Sequence, residues 1–380
     1  MAAFFSPARP AIIFAGILKN FGKFFKKLGK IFKNFTKFFR KHTVFFRRLN
    51  APPGLHIAES AAICYTREMP IKIQSGLPAN KVLEAENVFV MTDQRAATQD
   101  IRPLKIAIVN LMPTKIATET QLLRLLANSP LQVEVFLVSM AGHVSRHTSQ
   151  EHLNRFYISS NEVFHKKFDG MIITGAPLEQ MEFENVDYWH DLCDIMDYAR
   201  ENVFCTLYIC WAALAGLYHL HGIRKGNLTE KISGIFMNHR TSVTEPLLRG
   251  FDDVFPMPQS RYSTVNPYKV KAHAELEILA ESDEAGISIV KSVSNREIFV
   301  TGHLEYDTDT LKQEYFRDEK KGIRPRVPRN YFPHDDPLQE PQCTWRSTAS
   351  LFFSNWLNYY VYQETPYAFV DLQYGDGLGI

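Results

Sequence analysis

The feature that most constrains the fold is an apolar run at residues 203–217, whose two halves differ in character. Residues 203–209 are β-branched, aromatic or otherwise apolar, which is typical of a strand buried on both faces of a parallel sheet. Residues 211–217 are small and apolar, as in a buried helix. Cys210 therefore lies where a buried strand turns directly into a helix.

The position of Cys210 allows two interpretations. The first turn of a helix offers positive potential and free backbone N–H groups, which favour a thiolate and hence a nucleophile. Free cysteines are also among the most buried residues, and most of them act as small apolar side chains. Position alone leaves both interpretations open.

Other buried runs alternate with amphipathic segments along the chain. The predicted strands are residues 104–111, 131–140, 168–177, 286–290 and 296–302. Three helices are predicted. The first opens with a capping box formed by Thr118 and Gln121 and continues to residue 126, and the others are residues 188–202 and 345–362. Strands separated by helices predict right-handed crossovers and an α/β fold with a doubly wound, mostly parallel sheet and helices on both faces. Reactive groups collect at the carboxyl ends of such strands, here Leu111, Gly175 and Cys210.

The first 68 residues differ in charge from the rest of the chain. They contain 13 basic residues against two acids, while the remainder has a net charge of −9. Phenylalanines at three- and four-residue spacing among the lysines resemble a basic amphipathic helix suited to an anionic membrane surface. Because the composition turns ordinary after Met69, we interpret residues 1–68 as a disordered or dispensable extension from a start site placed too early. Membrane contact is expected only if this extension is real.

The cysteines and histidines predict no metal centre. The five cysteines are scattered without CxxC spacing, which argues against a disulfide scaffold or zinc site and for a reducing, cytoplasmic compartment. His143, His147 and Glu151 recur at four-residue spacing and could share one helical face. The Ser and Thr residues between them and Gly142 before them favour a solvated loop instead.

A second reactive motif follows the last predicted strand. His303 and Glu305 lie two residues apart, so their side chains point the same way in extended backbone. Glu305 could hold one nitrogen of His303 while the other faces Cys210, giving a nucleophile, a base and an orienting carboxylate. The alternative is a surface histidine with an acidic neighbour.

These motifs stand among longer ones that resemble a known family. They are Asn110-Leu111-Met112-Pro113, Thr118-Glu119-Thr120-Gln121-Leu122-Leu123, Thr174-Gly175-Ala176-Pro177, Val186-Asp187-Tyr188-Trp189, Ile209-Cys210-Trp211, Thr301-Gly302-His303 and the segment 353–367. From Met69 to about Pro366 the chain resembles the homoserine O-acyltransferases of the MetA type, relatives in fold of the class I glutamine amidotransferases. The resemblance implies one acyltransferase domain at residues 69–368, followed by a flexible tail at 369–380.

The resemblance also implies roles for particular residues. Cys210 takes an acyl group from acyl-CoA as a thioester, His303 is the general base, and Glu305 is its partner. The substrate-binding positions fall on Lys231, Ser260 and Arg317. Because a guanidinium binds a carboxylate through two hydrogen bonds, Arg317 is the expected partner of the homoserine carboxylate.

Further positions are expected to support the acyl group. Lys115 is expected near the thioester carbonyl, and the backbone N–H groups of Trp211, Gly175 and Ala176 are expected to meet the oxyanion. The partners are L-homoserine and acetyl-CoA as co-substrate, with no permanently bound cofactor, no nucleic acid and a homodimeric assembly. The product would be an O-acylhomoserine on the path to methionine.

The family position that distinguishes acyl donors falls on Glu179. A glycine there leaves room for the succinyl carboxylate, whereas a glutamate fills the space and adds like charge. Two carboxylates a few ångströms apart repel by about 1–4 kcal/mol. We therefore expect acetyl-CoA as the donor, with succinyl-CoA as the alternative.

Four residues depart from the usual family pattern, namely Ala212, Leu214, Leu304 and Thr348. Ala212 would be strained if its φ had to be positive, and Leu214 replaces an amide that is able to hydrogen-bond nearby. A glutamine amidotransferase-type hydrolase remains an alternative, although it expects Gly and Gln where this chain has Ala212 and Leu214. A second alternative is a membrane-docked binding module derived from an acyltransferase.

Overall fold

One mixed β-sheet organises the fold. A computed structural model describes residues 71–74, 76–86, 88, 90–91, 102–141 and 147–365. The strands are β1 (Ile71–Lys72), β2 (Val90–Met91), β3 (Leu104–Val109), β4 (Val133–Ser139), β5 (Tyr157–Ser159), β6 (Gly170–Ile173), β7 (Cys205–Ile209), β8 (Lys225–Arg240), β9 (Val254–Val265), β10 (Leu276–Ser282), β11 (Gly286–Ser292) and β12 (Glu297–Val300).

Seven helices lie in the connections between the described strands, and two follow the last strand. They are α1 (Pro78–Ala85), α2 (Lys115–Ala127), α3 (Gln150–Phe156), α4 (Ser160–Val163), α5 (Trp189–Asn202), α6 (Trp211–His221), α7 (Pro267–Lys271), α8 (Thr310–Lys320) and α9 (Arg346–Asn355). The α9 helix continues as a π-helix over Trp356–Tyr362.

The sheet has a parallel and an antiparallel half. Its strand order is β2-β1-β4-β3-β6-β7-β12-β11-β10-β8-β9, with β5 also paired to β4. Every pairing from β2 to β12 is parallel, and every pairing from β12 to β9 is antiparallel. The two halves meet at β12, which pairs directly with β7, the strand that ends before Cys210.

Successive residues of the central strands pack into different layers, as the period of a strand requires. Ile106 and Ile108 join one apolar cluster with residues of α2 and α9. Ala107 and Val109 join a second cluster with residues of α5 and α6. Helices therefore cover both faces, and the prediction of a doubly wound, mostly parallel α/β sheet is confirmed.

The predicted start of one helix is wrong. Helix α2 begins at Lys115, so Thr118 lies inside the helix and does not cap it. Its hydroxyl donates back to the Thr114 carbonyl at 3.4 Å, while the Gln121 amide donates to Thr310 at 3.1 Å. The predicted capping box is wrong because both side chains have partners outside it.

The polar stretch after β4 is more ordered than predicted. Ser149 accepts a hydrogen bond from the His152 amide at 3.3 Å and caps α3, where a solvated loop was expected. Glu151 lies in the first turn of α3 and His147 precedes it, whereas His143 lies outside the described residues. The long strands β8 and β9, and β10, were not predicted at all.

Two predicted segments cannot be compared with the structure. The described residues fall within one compact unit, Arg67–Ile380, and the extension 1–68 and the tail 369–380 lie outside them. A search of the described helices finds none with the length and apolar character needed to cross a bilayer.

Candidate active site

Cys210 occupies a strained turn between β7 and α6. Its φ is 52° and its ψ is −111°, a combination that non-glycine residues rarely adopt. Its amide donates to the Val300 carbonyl of β12 at 2.7 Å, and the residue is 4% exposed. In this turn the positive φ falls on Cys210, and Ala212 is not among the residues with positive φ. The alanine at 212 is therefore not strained in the way considered above.

His303 and Glu305 lie at the end of β12, beside the end of β7. Because these strands are parallel neighbours, their carboxyl ends bring Cys210 and His303 together. His303 Nδ1 lies 2.6 Å from Glu305 Oε1, and the His303 side chain also hydrogen-bonds Cys210. Burial alone would lower the pKa of His303, but the negative charges of Cys210 and Glu305 raise this pKa well above its ordinary value.

Two glycines allow the backbone to approach this pair. A Cβ on Gly175 would lie 3.3 Å from Cys210 Cβ and 3.6 Å from His303 Cε1. A Cβ on Gly302 would lie 2.5 Å from the Met257 sulfur and 2.7 Å from the Pro258 carbonyl oxygen. The turn after β6 thus closes directly on Cys210 and His303, while β9 supports the residue before His303.

The end of β3 is tied to the same edge. The Leu111 amide donates to Thr174 Oγ1 at 2.8 Å, which fixes the segment after β3 to the turn after β6. Leu111, Gly175 and Cys210 therefore meet at one edge of the sheet, as the sequence predicts.

Glu314 on α8 connects the candidate nucleophile and base to two of the expected substrate-binding residues. The Tyr306 ring stacks on the His303 ring with centroids 4.0 Å apart, and its hydroxyl donates to Glu314 Oε1 at 2.9 Å. Glu314 Oε2 accepts from Ser260 Oγ at 2.5 Å and from Lys231 Nζ at 3.1 Å. Glu314 was missed by the sequence analysis, although it lies one helical turn before Arg317.

The ionisation of Glu314 follows from these contacts. Burial raises its pKa, but Lys231, the Ser260 hydroxyl and His303 together lower this pKa below the ordinary value of 4.5. The site therefore contains a stable carboxylate beside the imidazole of His303.

Lys231 reaches Glu314 from an irregular part of β8. The pairing of β8 with β9 shifts between Asn227 and Ile232, so Lys231 lies in a bulge. Bulges commonly redirect a side chain near an active site. The Lys231 ammonium also lies 3.8 Å from Asp318.

Arg317 is less closely integrated than expected. Its side chain is 53% exposed and pairs with the neighbouring Asp318 at 2.9 Å. Within the described part of the chain, the structure joins Lys231 and Ser260 through Glu314 and leaves Arg317 at the surface of α8.

Glu179 follows the turn after β6 and is influenced by the same charged groups. Its backbone carbonyl accepts from Lys225 Nζ at 2.6 Å. Burial raises the pKa of the Glu179 carboxyl, Lys231 and His303 act to lower it, and Glu314 acts to raise it. The charges of three site residues thus act on the Glu179 carboxyl.

Lys115 is the first residue of α2, which follows β3, and β3 lies two strands from β7 in the sheet. It is 6% exposed, its ammonium donates to the Asn110 carbonyl, and it lies 5.8 Å from the Tyr157 ring centroid. Burial lowers its pKa to about 8, while Glu119 acts in the opposite direction. Glu119 is fully buried and accepts from the Tyr157 hydroxyl at 2.5 Å.

The remaining predicted residues surround the turn. Trp211 is fully buried and its ring contacts Phe183, so its backbone rather than its side chain is available to the site. Ala176 and Leu304 are 5% and 3% exposed, and Leu214 is 1% exposed within an apolar cluster. The amide that Leu214 replaces would therefore have entered an apolar environment.

A buried thiol hydrogen-bonded to an imidazole, which in turn is held by a carboxylate, can form and break an acyl-thioester. Proton transfer through His303 would serve either a hydroxyl acceptor or water. The Lys231–Ser260–Glu314 cluster adds polar groups for a small charged acceptor. This chemistry covers acyl transfer and hydrolysis.

Comparisons with known proteins bear on the choice between acyl transfer and hydrolysis. The family model described as homoserine O-succinyltransferase matches residues 70–367. A homoserine O-acetyltransferase of Desulfovibrio desulfuricans is 57% identical over 301 residues, which cover 79% of this chain and 96% of that protein. A homoserine O-succinyltransferase of Shewanella sediminis is 54% identical over 304 residues, which cover 80% of this chain and 97% of that protein. Among solved structures, a glutamine amidotransferase of Thermotoga maritima is 13% identical, with a TM-score of 0.45 over 68% of this chain and 98% of that one.

Proposed function

This chain belongs to the homoserine O-succinyltransferase family, and on that premise we propose that it transfers an acetyl group from acetyl-CoA to the hydroxyl of L-homoserine. Acyl transfer to homoserine in methionine biosynthesis follows from the family and from relatives that are more than half identical. The acetyl donor and the covalent route through Cys210 are the proposal. The observation that carries the route is the hydrogen-bonded set of Cys210, His303 and Glu305.

The first half-reaction loads the thiol. The Cys210 sulfur attacks the thioester carbonyl carbon, the bond from that carbon to the CoA sulfur breaks, and the CoA thiolate takes a proton from His303. Glu305 at 2.6 Å stabilises the protonated imidazole before this transfer. The N–H groups of Trp211, Gly175 and Ala176 are the proposed donors to the oxyanion.

The second half-reaction unloads the acyl group. His303 takes the proton of the homoserine hydroxyl, whose oxygen attacks the acyl-cysteine carbonyl. The carbon–sulfur bond to Cys210 then breaks and restores the thiolate. Ser260, Lys231 and Glu314 are the proposed partners of the charged groups of homoserine, and Arg317 remains the proposed partner of its carboxylate.

The preference for acetyl over succinyl rests on Glu179. The charges of His303, Lys231 and Glu314 act on its carboxyl, which supports a position for Glu179 beside an acyl group on Cys210. A succinyl group would bring a third carboxylate beside those of Glu179 and Glu314. Repulsion of about 1–4 kcal/mol then disfavours the succinyl donor.

The covalent route is tested by mass spectrometry of the full chain. Protein mixed with acetyl-CoA, without homoserine, should gain one acetyl group on the peptide that contains Cys210. Adding homoserine should remove the adduct and release O-acetylhomoserine. Glutamine should give no adduct, since the amidotransferase alternative predicts a glutamyl-thioester on the same residue.

Two variants make this test decisive. Cys210→Ser should abolish the adduct, whereas Cys193→Ser should not, because Cys193 is a half-buried cysteine within α5 and not at the turn after β7. An acetyl group that remains on the chain in Cys210→Ser would contradict the proposed nucleophile. Turnover without any adduct in a rapid-quench experiment would favour direct transfer.

Donor choice is tested by Glu179→Gly. Removing this carboxylate should raise the ratio of succinyl-CoA to acetyl-CoA specificity, measured as kcat/KM, by about tenfold or more. The matched control is Glu182→Gly, an exposed glutamate on the same connection. If both variants keep the wild-type ratio, Glu179 does not determine the donor.

A further inference from the structure

The helix that begins at Cys210 ends in a second buried histidine, His221. Its side chain is 0% exposed, and its ring meets the Phe299 ring edge-on with centroids 5.7 Å apart. Neither ring nitrogen has a hydrogen-bond partner in the described part of the chain. A buried imidazole without hydrogen-bond partners loses its hydration and gains no hydrogen bond in return, so such a group calls for an explanation.

Two further side chains converge on His221 from the α7–β10 connection. One potential ligand atom each from His221, His273 and Glu275 lies within 4.8 Å of the others. His221 Nδ1 and Glu275 Oε2 are 3.6 Å apart, and the rings of His221 and His273 are perpendicular with centroids 5.1 Å apart. The Glu275 amide donates to His273 Nδ1 at 3.4 Å, which leaves Nε2 of that ring for another ligand.

We propose that His221, His273 and Glu275 bind one divalent transition-metal ion, with Zn²⁺ as the best chemical match. Two imidazoles and one carboxylate form a ligand set that Zn²⁺ prefers, and a fourth position stays open to water. Ligand atoms in a tetrahedral zinc site lie about 3.3 Å apart, so the three groups must close slightly. Glu275 is exposed and His273 is half-buried, so both can move toward the fixed His221.

The charges around the cluster set limits on affinity. Arg200 lies 3.6 Å from Glu275 and 3.3 Å from the buried Glu297. When Glu275 turns toward the metal, Arg200 keeps its contact with Glu297. Its positive charge still opposes the cation, so binding should be weaker than in a site without a neighbouring arginine.

The metal site is separate from the reaction. An 11-residue helix is about 16 Å long, so His221 and Cys210 lie at opposite ends of α6. Binding would join the end of α6 to the connection between α7 and β10, and it would stabilise the fold. The proposal does not depend on which acyl group the enzyme transfers.

The experiment uses full-length protein without an affinity tag, treated with a chelator and then titrated calorimetrically with Zn²⁺. We expect one ion per chain and a higher melting temperature when Zn²⁺ is present. His273→Ala and Glu275→Gln should each weaken binding about tenfold or more and remove the rise in melting temperature. Both variants leave the buried His221 in place, and circular dichroism checks that they fold.

His190→Ala is the matched control, an exposed histidine on α5 that should leave binding unchanged. Zn²⁺ also binds thiolates, so the titration is repeated after alkylation of the accessible cysteines. Binding that disappears on alkylation, or that stays unchanged in both His273→Ala and Glu275→Gln, would overturn the proposal. Binding that survives alkylation and fails in both variants would support it.

Discussion

The parallel and antiparallel halves of the sheet contribute different parts of the candidate site. The parallel half supplies Cys210, His303 and the turn at Gly175, all at the carboxyl ends of adjacent strands. The antiparallel half supplies Lys231 from β8 and Ser260 from β9. The first group can make and break an acyl bond, and the second can hold an acceptor.

The physical difference lies in how each half places a side chain. Parallel strands end at a common edge, so topology alone brings their terminal residues together. The antiparallel half uses a bulge at Lys231, and β9 packs back against the end of β12, where the Pro258 carbonyl accepts from the His303 amide at 2.9 Å. Substitutions in the parallel half should therefore affect kcat, and those in the antiparallel half or α8 should affect the KM for homoserine.

The largest expected effect comes from Glu305→Gln, which keeps the size of the side chain and removes its charge. We expect kcat to fall by about 10²–10⁴-fold with little change in the KM for homoserine. Because Glu305 raises the pKa of His303, the variant should also shift the pH profile of kcat to lower pH. Steady-state kinetics from pH 5 to 9 would measure both changes.

Asp307→Asn is the matched control for this variant. Asp307 lies two residues beyond Glu305 and pairs with Arg124 at 2.6 Å, outside the Cys210–His303 contact. It should leave kcat and the pH profile nearly unchanged. A rise in KM at constant kcat for Glu305→Gln would break the proposed division between the two halves.

The sequence predicts the parallel half better than the antiparallel half for the same physical reason. Leu111, Gly175, Cys210 and His303 each follow a run of apolar residues, and the order of strands and helices is enough to bring them together. The strand β8 alternates imperfectly and is partly exposed, so it lacks a comparable signal. The bulge at Lys231 depends on pairing with β9, which no local pattern encodes.

Side-chain partners distant in sequence explain the other misses. Thr118 has the spacing of a cap, yet α2 starts one turn earlier, where Lys115 becomes buried against Asn110. The proposed metal ligands His221 and His273 are about 50 residues apart, so no metal-binding spacing marks them. Glu314 belongs to the candidate site because it contacts Tyr306, Ser260 and Lys231, which come from three separate segments of the chain.

A smaller effect is expected from Glu314→Gln, which tests the same division between a parallel half that affects kcat and an antiparallel half, with α8, that affects the KM for homoserine. The variant should raise the KM for homoserine by about 10–100-fold, because a charge-assisted partner is lost from the acceptor cluster. Acetylation of Cys210 by acetyl-CoA, measured without homoserine, should keep its wild-type rate. Glu319→Gln on the exposed side of α8 is the matched control and should change neither quantity.

The pH dependence of the wild type gives a second measurement of the same residue. The pKa of Glu314 is below its ordinary value of 4.5, so its carboxylate stays charged above that pH in the folded chain. Its contribution to stability is complete above pH 4.5 and is lost as the pH falls through the lowered pKa. The Glu314 contribution to the KM for homoserine should therefore stay constant from pH 8 to pH 5. Equal losses of acetylation and of homoserine binding in Glu314→Gln would mean that this carboxylate serves His303 rather than the acceptor, and the separation between the two halves would fail at α8.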